Sequence, residues 1–340
     1  MSKVTIIGLG LIGNSIGMAL KQASANGQPI EVVGFDPDHS REEAALRRYA
    51  SVTTLAPNLE SAVRDAQLVI ISTPASAARE VLNAIGPLLS EDTIVTDTLP
   101  YKEQVMAWAG EVLGLSNSFV SGHPFSKSVD LEMPPADAEP SANLFRNAPY
   151  CLIPLRTTSD SAFASVIGFV ELLGAKPLFI DPQEHDSFIA AVSHLPIVAS
   201  SALLQMTTKS PTWSDMGNLA QGYFKSSTEA SAADPAVLSD ALLGNRQSLL
   251  RWIDQYLMAL AEMRDLISRD DRAALLAALS GARNAREDWV LQNKGVDKAE
   301  ITRQAEMREA ISNASPLRGM MGDYLSSRIF RKRDKTKQDE

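Results

Sequence analysis

Gly8-Leu9-Gly10-Leu11-Ile12-Gly13 is the stretch on which the fold turns. It follows Val4-Thr5-Ile6-Ile7, a β-branched apolar run, and leads into a helix-compatible segment from Leu11 to Ala23. Glycines spaced in this way between a strand and a helix have separate physical uses. Gly8 permits the tight turn, Gly10 lets backbone approach a pyrophosphate, and Gly13 lets the helix pack close to the strand. Leu11 and Ile12 complete the loop, where the first helical N–H groups and the positive helix end face a phosphate. A second strand, Ile30-Glu31-Val32-Val33-Gly34-Phe35, ends at Asp36, 23 residues after Gly13. A carboxylate there accepts from a ribose 2′-hydroxyl and repels a 2′-phosphate, so the expected cofactor is NAD rather than NADP. Ser72-Thr73-Pro74 closes a further strand, Leu68-Val69-Ile70-Ile71, and places Thr73 and Pro74 at the same sheet edge.

Further along, Thr93-Ile94-Val95-Thr96, Tyr150-Cys151-Leu152-Ile153 and Pro177-Leu178-Phe179-Ile180 read as strands, with a helical segment from Ala75 to Leu88. Near-continuous apolar strands alternating with helices indicate a doubly wound parallel sheet, a Rossmann domain. From His185 onward the β signal disappears. Leu249, Trp252, Ile253, Tyr256, Leu257, Leu260, Met263 and Ile267 recur mostly three and four apart, an apolar stripe on one helix. Ser268-Arg269-Asp270-Asp271 offers caps for the next helix. The expected division is residues 1–182 as the α/β domain, 183–327 as an all-helical domain, and 328–340 as a basic tail. That tail holds six basic and three acidic side chains, and is expected to be frayed or to serve in docking.

Composition sets outer bounds. The chain has 340 residues, 45% hydrophobic and 21% charged, an ordinary globular mixture. A net charge of −9 argues against general nucleic-acid or membrane-surface binding. No uninterrupted apolar run is long enough to suggest a membrane span, and the N-terminus lacks the pattern of a signal peptide. The single cysteine, Cys151, excludes an internal disulfide and suits a reducing, cytoplasmic setting. His185 and His194 lie nine residues apart, which is no metal-ligand spacing, so no metal site is expected. His185 reads as a structural residue near a helix start.

Ser121-Gly122-His123-Pro124, Asp181-Pro182-Gln183-Glu184-His185-Asp186, Ser193-His194-Leu195-Pro196 and Gly222-Tyr223-Phe224-Lys225 follow one another in the chain, with Asp234-Pro235 and Asn245 downstream. In this order and spacing the sequence resembles the prephenate/arogenate dehydrogenase family, over roughly residues 3 to 290. The resemblance implies a nucleotide-binding domain followed by a helical domain that forms a homodimer. It implies oxidation of a cyclohexadienol with NAD(P), driven by loss of the ring carboxylate. It assigns His123 as the catalytic acid/base, for which a neutral imidazole beside the substrate hydroxyl is required.

The chain departs from the family pattern at the substrate. Pro100 stands where the family has an active-site serine, and Thr98 is the nearest substitute hydroxyl. Ile197 replaces a second imidazole after Ser193-His194-Leu195-Pro196. Glu229 replaces the arginine that clamps the substrate's side-chain carboxylate, a loss of about 2–5 kcal/mol for a buried charge pair. Lys127, next to Ser128, brings a new cation, and with Lys225 can hold a small anionic substrate or pair with Glu229. His194 lines the cleft by the same resemblance. The departures leave two other readings open: a different hydroxy acid from secondary metabolism, or a nucleotide-binding protein without dehydrogenase activity.

Overall fold

The computed structural model describes residues 2–25, 27, 29–113, 118–131, 134, 135, 137–293, 302 and 303. The basic stretch 328–340 lies outside the described residues. Eight strands run β1 (Ser2–Ile7), β2 (Ile30–Phe35), β3 (Thr54–Leu55), β4 (Leu68–Ile71), β5 (Ile94–Asp97), β6 (Ser118–Pro124), β7 (Pro149–Pro154) and β8 (Lys176–Phe179). They form one sheet in the order β3-β2-β1-β4-β5-β6-β7-β8. Every neighbouring pair is parallel except β6 and β7, which are antiparallel, with His123 opposite Cys151. The chain winds outward from β1 to β3, then returns to β4 on the other side. Between β1 and β4 lies the switch point, where open α/β sheets bind ligands at the carboxyl ends of their strands.

Both faces are covered, which is why the central strands carry apolar residues at successive positions. On one face Ile16 and Leu20 of the helix Leu11–Ala25 pack with Val166, Phe169 and Val170 of the helix Asp160–Leu172. On the other, Ala78, Leu82 and Ile85 of Ala75–Ile85 meet Val105, Ala109 and Leu113 of Glu103–Leu113. The sheet's second half continues into helices. Asp181 caps Pro182–Ile189 by accepting from the Gln183 N–H at 2.9 Å, with Pro182 in the first turn where its missing N–H costs nothing. A wide π-turn, Ala190–His194, follows, and then Leu195–Thr208. Pro196 supplies no N–H, and the Leu195 N–H bonds back to the Ala190 carbonyl.

Taken together, Pro182–Thr208 is a 27-residue helical run apolar enough in composition to match a membrane span. The match is one of length and composition alone: Glu184, His185, Asp186, His194 and Pro196 interrupt the run, so the sequence shows no uninterrupted apolar stretch of that length. Those interruptions have a local explanation: His185, Asp186 and His194 are buried against protein.

The described residues up to 255 form one compact unit and the described residues from 256 onward another. The apolar stripe lies on the helix Arg246–Ser268. In the second unit, Asp271 accepts from the Ala274 N–H at 3.0 Å to start Arg272–Asn293. Leu257, Met258, Leu260, Ile267, Leu276 and Trp289 are exposed there.

Candidate active site

The glycine loop leaves β1 with its three glycines in different environments. Gly8 has φ +99°, and a Cβ on it would sit 2.4 Å from the Ser72 carbonyl oxygen. At Gly13 a Cβ would lie 2.0 Å from the Gly8 carbonyl oxygen, so the helix could not approach the turn. A Cβ at Gly10 would meet nothing within 4 Å. Gly10 is therefore the one that the protein's own packing does not require, as expected where a ligand passes over the backbone. Leu11 and Ile12 pack their side chains against the core. Asn14, which sequence reasoning passed over, braces the turn. Its amide donates to the carbonyls of Leu9 and Gly10 and accepts from Ser51 Oγ at 2.6 Å.

Asp36 is 4% exposed. Its Oδ2 accepts from the Leu9 N–H at 2.8 Å, and its Oδ1 from the Asp38 N–H at 2.9 Å. The carboxylate thus ties the end of β2 to the glycine loop, and each oxygen keeps a lone pair for a ribose hydroxyl. Thr73 stands at the end of β4 with a buried Oγ1 that has no hydrogen-bond partner among the described residues. An orphaned hydroxyl at the sheet's switch point, next to the Gly8 turn, together with the open space over Gly10, fits a dinucleotide. Pro74 precedes the helix Ala75–Ile85 at the same edge.

A buried charge cluster supports the strand that carries His123. The Lys102 side chain is fully buried, and its ammonium donates to Asp97 Oδ2 at 2.7 Å, Ser121 Oγ at 3.0 Å and the Gly122 carbonyl at 2.6 Å. Asp97 also accepts from Ser121 Oγ at 2.6 Å and from the N–H groups of Leu99 and Gly122 at 2.9 and 3.1 Å. All three ammonium protons are used, and β5 and β6 are locked together directly beside His123. Gly122 is obligatory there, because a Cβ would come within 2.7 Å of the Asp97 carbonyl oxygen.

His123 is buried at the carboxyl end of β6, with its ring centroid 4.4 Å from that of Phe125. Its Nδ1 lies 2.9 Å from His185 Nε2, and His185 Nδ1 lies 2.8 Å from Asp186 Oδ1. Asp186 accepts the backbone N–H groups of Lys102 at 2.7 Å and Glu103 at 2.9 Å, at the start of the helix Glu103–Leu113. Asn245 donates to the Asp186 carbonyl at 2.7 Å and lies 3.4 Å from His194 Nδ1. Burial holds the His123 imidazole well below its ordinary range, helped by His185, by the Lys102 charge and by His194. Burial also lowers His185, against the opposing pull of Asp186. A neutral imidazole at neutral pH is the form a proton acceptor needs. His185, expected to be only structural, touches the candidate base directly. With it, Asp186, Lys102 and Asp97 were missed.

The expected substrate residues are less gathered. His194 and Ile197 are buried, the latter as an apolar wall. Thr98 Oγ1 donates to Ser72 Oγ at 3.3 Å, so the hydroxyl is directed to that serine rather than to His123. Ser128 is engaged with Ser126, hydroxyl to hydroxyl at 3.0 Å. Lys127, Lys225 and Glu229 are exposed, and among the described residues no ion pair joins Lys127 to Glu229. Pairing of those two, one of the alternatives open from sequence, is therefore not what the structure holds.

Two family models match the chain. The prephenate dehydrogenase nucleotide-binding domain covers residues 16–178, and the prephenate dehydrogenase dimerization domain covers residues 181–281. A prephenate dehydrogenase from Bacillus subtilis (strain 168) is 27% identical over 294 residues, spanning 86% of this chain and 77% of that protein. A cyclohexadienyl dehydrogenase from Zymomonas mobilis is 29% identical over 287 residues, 83% of this chain and 94% of that one. The crystal structure of prephenate dehydrogenase from A. aeolicus, in complex with hydroxyphenyl propionate and NAD+, superposes with a TM-score of 0.74 at 24% identity. It covers 84% of this chain and 98% of its own.

Proposed function

Since the chain belongs to the prephenate dehydrogenase family, and is a dehydrogenase of that kind, we propose that it oxidises prephenate or a related cyclohexadienyl acid with NAD. The observation that carries the reading is a buried, neutral His123 at the carboxyl end of a strand in the same sheet whose β1 edge forms the dinucleotide loop. NAD, when bound, supplies the hydride acceptor. Gly8, Gly10, Leu11, Ile12 and Gly13 would hold its pyrophosphate, Asp36 its ribose hydroxyls, and Thr73 with Pro74 the crevice wall.

His123 takes the hydroxyl proton as the carbinol C–H leaves with its electron pair. The resulting ketone is conjugated to the carbon that bears the carboxylate. That C–C bond then breaks, carbon dioxide departs, and its electrons make the ring aromatic. The proton held by the protein returns to the phenolate oxygen. Cations for the anionic substrate would come from Lys127 and Lys225, with His194 and Ser128 on the cleft.

A different hydroxy acid is the second reading. It is favoured by Pro100, by the buried apolar Ile197 and by the exposed Glu229. Incubation with NAD and prephenate, arogenate or a panel of hydroxy acids distinguishes the two. Reduced nicotinamide and carbon dioxide released in equal amounts from either cyclohexadienyl acid support the first reading. Turnover confined to another acid replaces it with the second.

A domain boundary near residue 182 is supported by the meeting of the two family models at 178 and 181, while the compact units divide further on, after residue 255. A homodimer is supported by the dimerization description of the second model and by the exposed apolar side chains of Arg246–Ser268 and Arg272–Asn293. A cytoplasmic setting suits the one free, buried cysteine.

A further inference from the structure

We propose that His185 and Asp186 are positioning residues for the base: they fix which nitrogen of His123 carries its hydrogen, and His185 stores the proton released during turnover. The inference rests on the reading of His123 as the base.

The direction of the chain is set at its far end. Asp186 receives two backbone N–H groups, from Lys102 and Glu103, at 2.7 and 2.9 Å. A backbone N–H can only donate, so both carboxylate oxygens are acceptors. Asp186 Oδ1 also faces His185 Nδ1 at 2.8 Å, so that nitrogen must carry hydrogen. A neutral imidazole has one donor and one acceptor. His185 Nε2 is therefore the acceptor, and the His123 nitrogen 2.9 Å away, Nδ1, must donate to it. That leaves Nε2 of His123 with the lone pair. One carboxylate held by two amides thus determines, two imidazoles away, the atom that can take a proton from a hydroxyl.

The same two hydrogen bonds provide a store. When His123 Nε2 gains the substrate proton, its Nδ1–H passes to His185 Nε2. His123 ends neutral with hydrogen on Nε2, and His185 ends as imidazolium against Asp186. No heavy atom has to move. When the phenolate forms, the transfers reverse and the proton returns to oxygen, so the reaction balances without solvent.

The surroundings favour His185 as the seat of the charge. His123 on β6 faces Lys102 and His194, both unfavourable to a second cation, and Cys151 across β7 is a thiol raised to about 11 by burial. His185 on its helix faces the Lys102 cation as well, but has Asp186 in contact and Asp97 on β5 as a second anion. Tyr101, between this cluster and Asp240 of the helix Pro235–Gly244, is pushed up to about 12 and stays neutral.

The test uses the full chain labelled with 15N-histidine. Four histidines are present, and His39 is exposed, so His39→Gln identifies its signal without touching the cluster. Imidazole 15N shifts, read without substrate, are expected to show hydrogen on Nδ1 of both His123 and His185. On acidification the first proton of the pair is expected on His185. Hydrogen on Nε2 of His123 in the neutral state, or first protonation at His123, overturns the proposal even if the enzyme turns over as described. If turnover with cyclohexadienyl acids is absent while the tautomers are as stated, it is the functional reading that fails.

A kinetic arm separates positioning from mere packing. His185→Gln can accept from His123 Nδ1 but cannot take its proton. It is expected to lower kcat on the order of 10²-fold with KM little changed. The acid limb of its pH profile should move to lower pH, because the proton must now go to His123. An unchanged acid limb in a folded variant counts against the store.

Discussion

Replacing Lys102 with Met removes a charge that the sequence gives no reason to think buried. The side chain is fully enclosed and makes three hydrogen bonds, to Asp97, Ser121 and Gly122. Met fills much of the volume, so the change is electrical more than steric. Asp97 would keep Ser121 and two backbone N–H groups, but no cation. Breaking a buried pair from one side costs about 3–5 kcal/mol, against a typical total stability of about 5–15 kcal/mol. For a unit of this size, each kcal/mol lowers Tm by about 2–4 °C, so Lys102→Met should lose about 6–20 °C. Denaturant unfolding of Lys102→Met, Asp97→Asn and the double variant measures the coupling directly. The double variant should recover most of the loss, since Asn leaves no orphaned charge. A second readout follows from the active site. The Lys102 charge is one of the causes, after burial and His185, that hold His123 down. The acid limb of activity in Lys102→Met should therefore move to higher pH. A loss under about 1 kcal/mol would refute the reasoning, because it would mean the pair is already solvated or weakly coupled.

Gly10→Ala and Gly13→Ala separate binding from folding. Gly10→Ala meets open space, so Tm should hold while the NAD KM rises at least about tenfold, one tenfold step being about 1.4 kcal/mol. Gly13→Ala collides with the Gly8 carbonyl, and both Tm and cofactor binding should fall. Acid stability is a third test. His123 and His185 are lowered in the fold, so their contribution is complete above the unfolded histidine value of about 6.5 and is lost as pH falls below it. Stability should drop between about pH 6.5 and 5, by at most about 1.4 kcal/mol per pH unit for each histidine, with a flatter slope in His123→Gln. A pH-independent Tm across that window would contradict it.

What the sequence discloses about this site depends on distance along the chain. The glycine loop, the strand before it and Asp36 are chemistry within about one βαβ unit, and each glycine's use could be stated from its position. The apolar runs of β1, β2, β4 and β5 announced strands because both faces of the sheet are covered. The two-residue β3 is too short to show a pattern. The antiparallel sense of β7 depends on its partner, which no local feature reveals. His185 was hidden for a similar reason. Its partner His123 is 62 residues away, and the contact exists only because the helix Pro182–Ile189 docks at the end of β6. A place near a helix start was legible for His185, and that made it look like an ordinary first-turn residue. Lys102 resembled any surface lysine until Asp97, Ser121 and Gly122 closed around it.

The most direct test of the account is to compare His123→Asn with the unaltered chain, measuring NAD binding and reduced-nicotinamide formation from prephenate or arogenate side by side. The account predicts unchanged NAD affinity and turnover lower by on the order of 10²- to 10⁴-fold. Turnover that survives within about a few-fold, far below what loss of a general base costs, would contradict it.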